Sequence, residues 1–149
     1  MREILFKAKA INRDKGYHRT NYKNGDWVYG LITRLYDEQY ENLPAEMTDE
    51  DGVSRIEIDH NTICQYTGLT DKNGNKIWEN DIVDASTGWW NASGPAGHDS
   101  PIIKVEWDEG FCGFVPFADY DCDCCVYIES DDVEVIGNIF DNPELLGGQ

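Results

Sequence analysis

Gln65-Tyr-Thr-Gly-Leu-Thr-Asp-Lys-Asn-Gly-Asn-Lys-Ile-Trp-Glu-Asn-Asp-Ile-Val83 decides the fold class. Asn73-Gly74 is the dipeptide that most readily takes the two positive φ angles of a type I′ turn, so the residues flanking it are expected to fold back as paired strands. Ile77 and Trp78 give the returning arm an apolar surface. Glu79-Asn80-Asp81 turns the chain again, and Asp81 to Ala85 begins a further strand. Short apolar runs separated by turn residues predict antiparallel sheet. They carry no chemistry of their own.

Upstream of this hairpin, Arg2 to Ile11 sets Ile4, Phe6 and Ala8 at period two, the pattern of a half-buried strand. Asn12 to Asn24 is polar and basic and reads as a loop or an extended hairpin tip. Gly25 to Tyr36 is a long aromatic strand, with Gly30 where a bulge or a close backbone approach is natural. It is expected to pair antiparallel with the first. Asp37 to Gly52 is acidic, contains Pro44 and reads as a loop or a single helical turn. Val53 to Ile58 alternates as a strand, and Asn61 to Tyr66 continues extended into the hairpin.

Downstream, strands are expected at Asp81 to Ala85, Ile102 to Trp107, Phe111 to Phe117, Cys125 to Ile128 and Val133 to Ile136, with a long loop from Ser86 to Pro101. Asn142 to Leu146 can make one helical turn, with Pro143 near its first position. The expected architecture is all-β, with residues 1–60 an N-terminal strand pair and extension packed on a small SH3-like β-barrel formed by 61–149.

The QYTGLTDKNGNKIWENDIV segment resembles the central signature of the YopX family, a set of small phage and prophage proteins. MREILFKAKA at the N-terminus, GDWVYG from Gly25 to Gly30 and VIGNIFDNPELL near the C-terminus fit it as well, so the resemblance spans nearly the whole chain. It implies a prophage origin in a bacterial host and no established activity. Asn12 to Lys23, Thr87 to Ser100 and the cysteine-rich tail depart from the shorter family pattern.

The 149 residues suffice for a core that needs no staples. Neither an apolar secretory segment at Met1 to Ala10 nor a run of about 18 apolar residues occurs, so a soluble, cytoplasmic protein with no membrane association is expected. Five cysteines, with Cys122, Cys124 and Cys125 almost adjacent, make poor material for a disulfide framework, which points to reduced thiols. The formal charge of −17 is unevenly placed. Residues 1–36 hold eight Lys/Arg against three acids, a net +5, and the remainder holds four against 26, a net −22. High charge ordinarily serves solubility, and an asymmetry of this size also sets up two electrostatic faces.

Cys122-Asp-Cys-Cys125, with Cys64, His60 and His98 elsewhere, is the nearest approach to a zinc ligand set. The spacing argues against it, since zinc sites separate paired cysteines by two to four residues and need a second pair. Asp119, Asp121 and Asp123 open like a calcium loop, but Cys124 and Ser130 stand where such a loop needs Gly and Glu. His18, His60 and His98 sit in no nucleophile or metalloprotease motif, and no phosphate-binding glycine loop is present. The expectation is a protein with no catalytic residues, no metal and no cofactor.

Trp89 and Trp90 lie in the Gly/Ser/Pro-rich loop, where neighbouring side chains of extended backbone point to opposite faces, so at least one indole is expected outside the core. Together with Trp27 and Tyr29 they are the candidate binding residues. The expected function is a non-enzymatic interaction protein that binds a protein partner or further copies of itself. A nucleic-acid binder is the alternative, using the basic N-terminal segment with Tyr17, Tyr22, Trp27 and Tyr29. An acidic mimic of DNA is a third reading.

Overall fold

Alternation of side chains between core and solvent marks a strand, and Ala45–Asp49 and Ile56–Ile58 show it. The computed structural model describes residues 3–12, 22–35, 45–53, 55–86, 101–110, 112–117 and 128–147, which fold as antiparallel β-structure with three short 3-10 turns among them. The chain divides into two units, Met1–Tyr66 and Thr67–Gln149.

In the first unit β1 (Phe6–Lys9) pairs antiparallel with β2 (Trp27–Arg34), β2 with β3 (Ala45–Asp49) and β3 with β4 (Ile56–Ile58). The start of β5 (Cys64–Thr70) lines the other side of β1. Ala8, Ala10, Val28, Ala45, Met47, Ile56 and Ile58 form the core on one face, with Phe6, Tyr22, Ile32 and Ile63 packed against them. Burying a side chain such as Met47 or Ile58 contributes about 1.5–3 kcal/mol each. Outside the ladders, the ends of β4 and β1 and the residues just after them are tied by an isolated Ala10–Ile58 bridge and two hydrogen bonds, Ile11 N–H to the Glu57 carbonyl at 2.8 Å and Asp59 N–H to the Lys9 carbonyl at 2.9 Å.

Gly30 is the point of closest approach within this sheet. A Cβ added there would lie 1.9 Å from the Thr48 carbonyl oxygen, so β2 and β3 meet as they do only because Gly30 lacks one. The bulge falls just beyond, between Ile32 and Arg34.

β3 corrects the expectation for Asp37 to Gly52. Ala45, Met47 and Asp49 are buried at period two and Glu46 and Thr48 take the other face, which is strand geometry. Asp49 tolerates burial because its carboxylate accepts the Tyr22 hydroxyl at 2.8 Å and the Val53 amide at 2.7 Å. His60–Thr62 is likewise a 3-10 turn, its start capped by the Asp59 side chain, where an extended run was expected.

In the second unit the end of β5 pairs with β6 (Lys76–Trp78), β7 (Asp81–Asp84) lies between β8 (Ile102–Lys104) and β11 (Glu134–Asn138), and β9 (Glu106–Asp108) pairs with β10 (Gly113–Val115). Ile77, Val83, Ala85, Ile103, Val105, Phe114, Ile128 and Val133 form its core. The predicted 102–107 strand is two strands. Val105 still bonds Asp81, its amide 2.8 Å from that carbonyl, and the chain beyond it leaves β7 to pair with β10 instead.

The described strands do not make the expected SH3-like barrel, because the β9–β10 ladder and the β8-β7-β11 ladder do not join into one sheet. They form separate antiparallel sheets, none of which closes.

The central hairpin is present but its turn is of another type. Gly74 has φ +82°, whereas Asn73 is not among the residues of positive φ, so the two left-handed residues of a type I′ turn are not found. Gly74 N–H donates to the Asp71 carbonyl at 2.9 Å and Asp71 N–H to the Asn75 carbonyl at 2.8 Å, a tight turn followed by one left-handed glycine. The Asp71 side chain shapes it by accepting the Asn73 and Asn75 amides at 2.9 and 2.8 Å.

Candidate functional site

The antiparallel register of β1 and β2 sets Lys7 opposite Tyr29 and Lys9 opposite Trp27. Because Ala8 and Val28 point into the core, these four residues share the opposite face of the sheet. The lysine Nζ atoms lie 4.8 Å (Lys7) and 5.3 Å (Lys9) from the centroid of the Trp27 ring. Both ammonium groups are therefore held by the negative face of one indole, an attraction of about 0.5–2 kcal/mol each depending on solvation.

Exposure grades along this face. Lys7 is buried, Lys9 and Trp27 are half-buried, and Tyr29 and Leu31 are 40 % and 52 % exposed. Trp27, Tyr29 and Leu31 stand at alternate positions of one strand, roughly 6.6 Å from one to the next. The outcome is an apolar and aromatic row beside a strand bearing two positive charges. Lys7 lies too deep to touch a partner and acts through its charge, while Lys9 and Tyr29 can make contact directly. Across from the row, Leu31 faces Thr48, and near its end the Arg34 guanidinium lies 3.9 Å from Glu46.

Of the residues singled out in the sequence, Trp27 and Tyr29 are thus brought together on one surface. Tyr22 is not part of it, being packed against the core with its hydroxyl committed to Asp49. Trp89, Trp90, Tyr17, His18, His98, the Asp119 to Asp123 run and Cys122 to Cys125 lie outside the described residues. His60 is exposed in its 3-10 turn, and Cys64 is wholly buried with its thiol 3.3 Å from the Thr62 carbonyl. Among the described residues no group of three or more His, Cys, Asp or Glu is placed to hold a metal ion, and no helix is long and apolar enough to cross a membrane.

Sequence reasoning did not single out Lys7, Lys9 and Leu31. Their signal was available: lysines two apart on a predicted strand share a face, and Leu31 continues the spacing of Trp27 and Tyr29. What the sequence did not show was that Lys9 and Trp27 would be paired in register.

No curated protein matches this chain. Among solved structures it is similar to protein EF1440 from Enterococcus faecalis, at 24 % identity and a TM-score of 0.46, covering 97 % of this chain and 98 % of that one. The family model described as YopX protein matches residues 9–147, nearly the whole length and including both arms of the lysine and tryptophan surface from Lys9 onward, and the chain therefore belongs to the YopX family.

Proposed function

We propose that this protein is a non-enzymatic interaction protein that docks an acidic polypeptide on the β1–β2 face. The observation that carries the reading is the placement of Lys7 and Lys9 over one half-buried indole beside exposed Tyr29 and Leu31. Trp and Tyr are among the residues enriched at interface hot spots. The two ammonium groups favour a partner of negative charge.

Replacing Tyr29 by a photo-crosslinking phenylalanine derivative in the producing cell tests this. Adducts to a polypeptide of defined mass are expected, and they should vanish when Lys9→Glu is added. Adducts to nucleic acid would overturn the reading in favour of a single-strand binder, for which aromatic residues on an open sheet face are also suited. An absence of adducts would also overturn it.

A further inference from the structure

We infer that the acidic polypeptide docked on the β1–β2 face is the β9–β10 hairpin of a second copy of this chain, an inference that rests on the docking role proposed above. The hairpin is built as the complement of that face. Trp107 is 45 % exposed, and its ring meets Phe114 edge-on, with centroids 5.1 Å apart and planes at 76°. Phe114 is itself buried in the core of its unit, so the indole is braced on one side while presenting the other to solvent. A large aromatic held in this way loses little conformational freedom on binding.

Around the indole the charge is mostly negative. Glu106, Asp108 and Glu109 fall within the hairpin, and no Lys or Arg occurs from Val105 to Phe117. Lys104 pairs with Glu106 at 2.7 Å and offsets one of the three carboxylates. The unit that carries the hairpin, residues 67–149, has 17 acids against three lysines, a net −14. An exposed indole in an acidic field thus meets, on another copy, an exposed tyrosine and leucine beside two lysines. Charge brings the surfaces together, and the apolar residues hold them at physiological ionic strength, where the Debye length is about 8 Å.

The two surfaces differ, so the contact is head-to-tail and the assembly keeps one unused surface of each kind, a sheet face at one end and a hairpin at the other. One hairpin on one sheet face is a small interface. Association is expected to be weak and dependent on concentration and salt.

Sedimentation velocity of the full chain tests the pairing. Wild type is expected to gain mass with concentration at low salt and to lose most of that gain at roughly 0.5 M salt. A Lys9→Glu, Tyr29→Ser variant and a Trp107→Ser, Glu109→Lys variant should each remain monomeric. An equimolar mixture should form a one-to-one dimer and stop there, because each partner retains only one working surface. Circular dichroism and melting of each variant establish that it is folded, and the milder Lys9→Gln and Glu109→Gln changes, each weakening association severalfold, serve if either is not. A wild type that stays monomeric, or a mixture that does, overturns the inference. If Tyr29 adducts to a different polypeptide persist in that case, the occupant is wrong and the docking face stands, whereas loss of those adducts removes both.

Discussion

The Asp71 carboxylate accepts the backbone amide of Val135 at 3.0 Å, so a turn residue of the central hairpin is bonded directly to a strand 64 positions later. The same carboxylate accepts the Asn73 and Asn75 amides and, at 3.3 Å, the Asn75 side-chain amide. The Lys72 amide reinforces the junction by donating to the Val133 carbonyl at 3.0 Å. One buried side chain thus shapes a turn and anchors β11 to it.

Asp71→Asn should therefore destabilise the fold by about 1.5–3 kcal/mol at neutral pH, the range for hydrogen bonds to a charged group. Burial alone would push the Asp71 carboxyl upward, but the Val135, Asn75 and Asn73 amides outweigh it and hold the group below its ordinary 3.8. A lowered folded-state value means that this contribution is complete above the unfolded value and is lost as pH falls through the folded one. Denaturant unfolding of wild type and variant is expected to show a constant difference above about pH 5, narrowing below pH 3.8. A difference that widened in acid would contradict the assignment.

Gly74→Val should cost about 1–3 kcal/mol from backbone strain alone, because φ is +82° and an added Cβ meets no atom within 4 Å. Asn takes the left-handed region more readily, so Gly74→Asn should melt closer to wild type. Equal melting points for the Val and Asn variants would show that the strain at this position is not what matters.

The turn also marks how far the sequence could be read. Asn73-Gly74 located the hairpin, yet the turn type was set by Asp71, whose side chain organises the loop in a way no dipeptide preference conveys. Strands with clean alternation, such as the ones around Val28 and Ile56, were legible because burial follows period two. The 45–49 strand was not, since its third inward position is Asp49, a residue that counts as polar until Tyr22 and Val53 are seen to satisfy it. Strand partnership was also hidden: nothing local to Val105 indicates that the chain changes sheets there. The lysine and tryptophan surface was half legible for the same reason, as its aromatic residues stand out by type while the opposing lysines are defined by register.

Gly30→Ala is expected to be among the most damaging single changes in the first unit. The new Cβ would meet Thr48 O at 1.9 Å and Asp49 Cα at 2.9 Å, both backbone atoms that can move only if β2 and β3 part. Overpacking costs about 1–3 kcal/mol, toward the upper end where only backbone can give way. Gly52→Ala provides the comparison, with φ +86° but open space around the added atom, and should cost about 1–2 kcal/mol. Thermal melting that ranked Gly52→Ala below Gly30→Ala would contradict the close approach.

The thiols of Cys64 and Cys112 should differ sharply in reactivity. Cys112 is exposed and Cys64 is fully buried. Brief alkylation of the folded protein followed by peptide mass spectrometry should modify Cys112 first, with Cys64 labelled only after denaturant is added. Labelling of both at the same rate would show that the core around Cys64 opens readily.

Tyr22 gives the complementary prediction at alkaline pH. Burial, the hydrogen bond to Asp49 and the negative charge of Asp49 together push its phenol from 10.0 up to about 12. Because the folded value is raised, the neutral phenol's contribution is complete below pH 10 and is lost as pH climbs toward 12. Tyr22→Phe removes a hydrogen bond to a carboxylate and should cost about 1.5 kcal/mol at pH 7. The gap between wild type and variant should hold steady to about pH 10 and then close. In a spectrophotometric titration the variant should lack a phenol that ionises near pH 12, and Asp49→Asn should bring that phenol down toward its ordinary 10.0. An unchanged high-pH component in Tyr22→Phe would mean that another tyrosine is responsible, and the Tyr22–Asp49 bond would then contribute little to holding β3 in place.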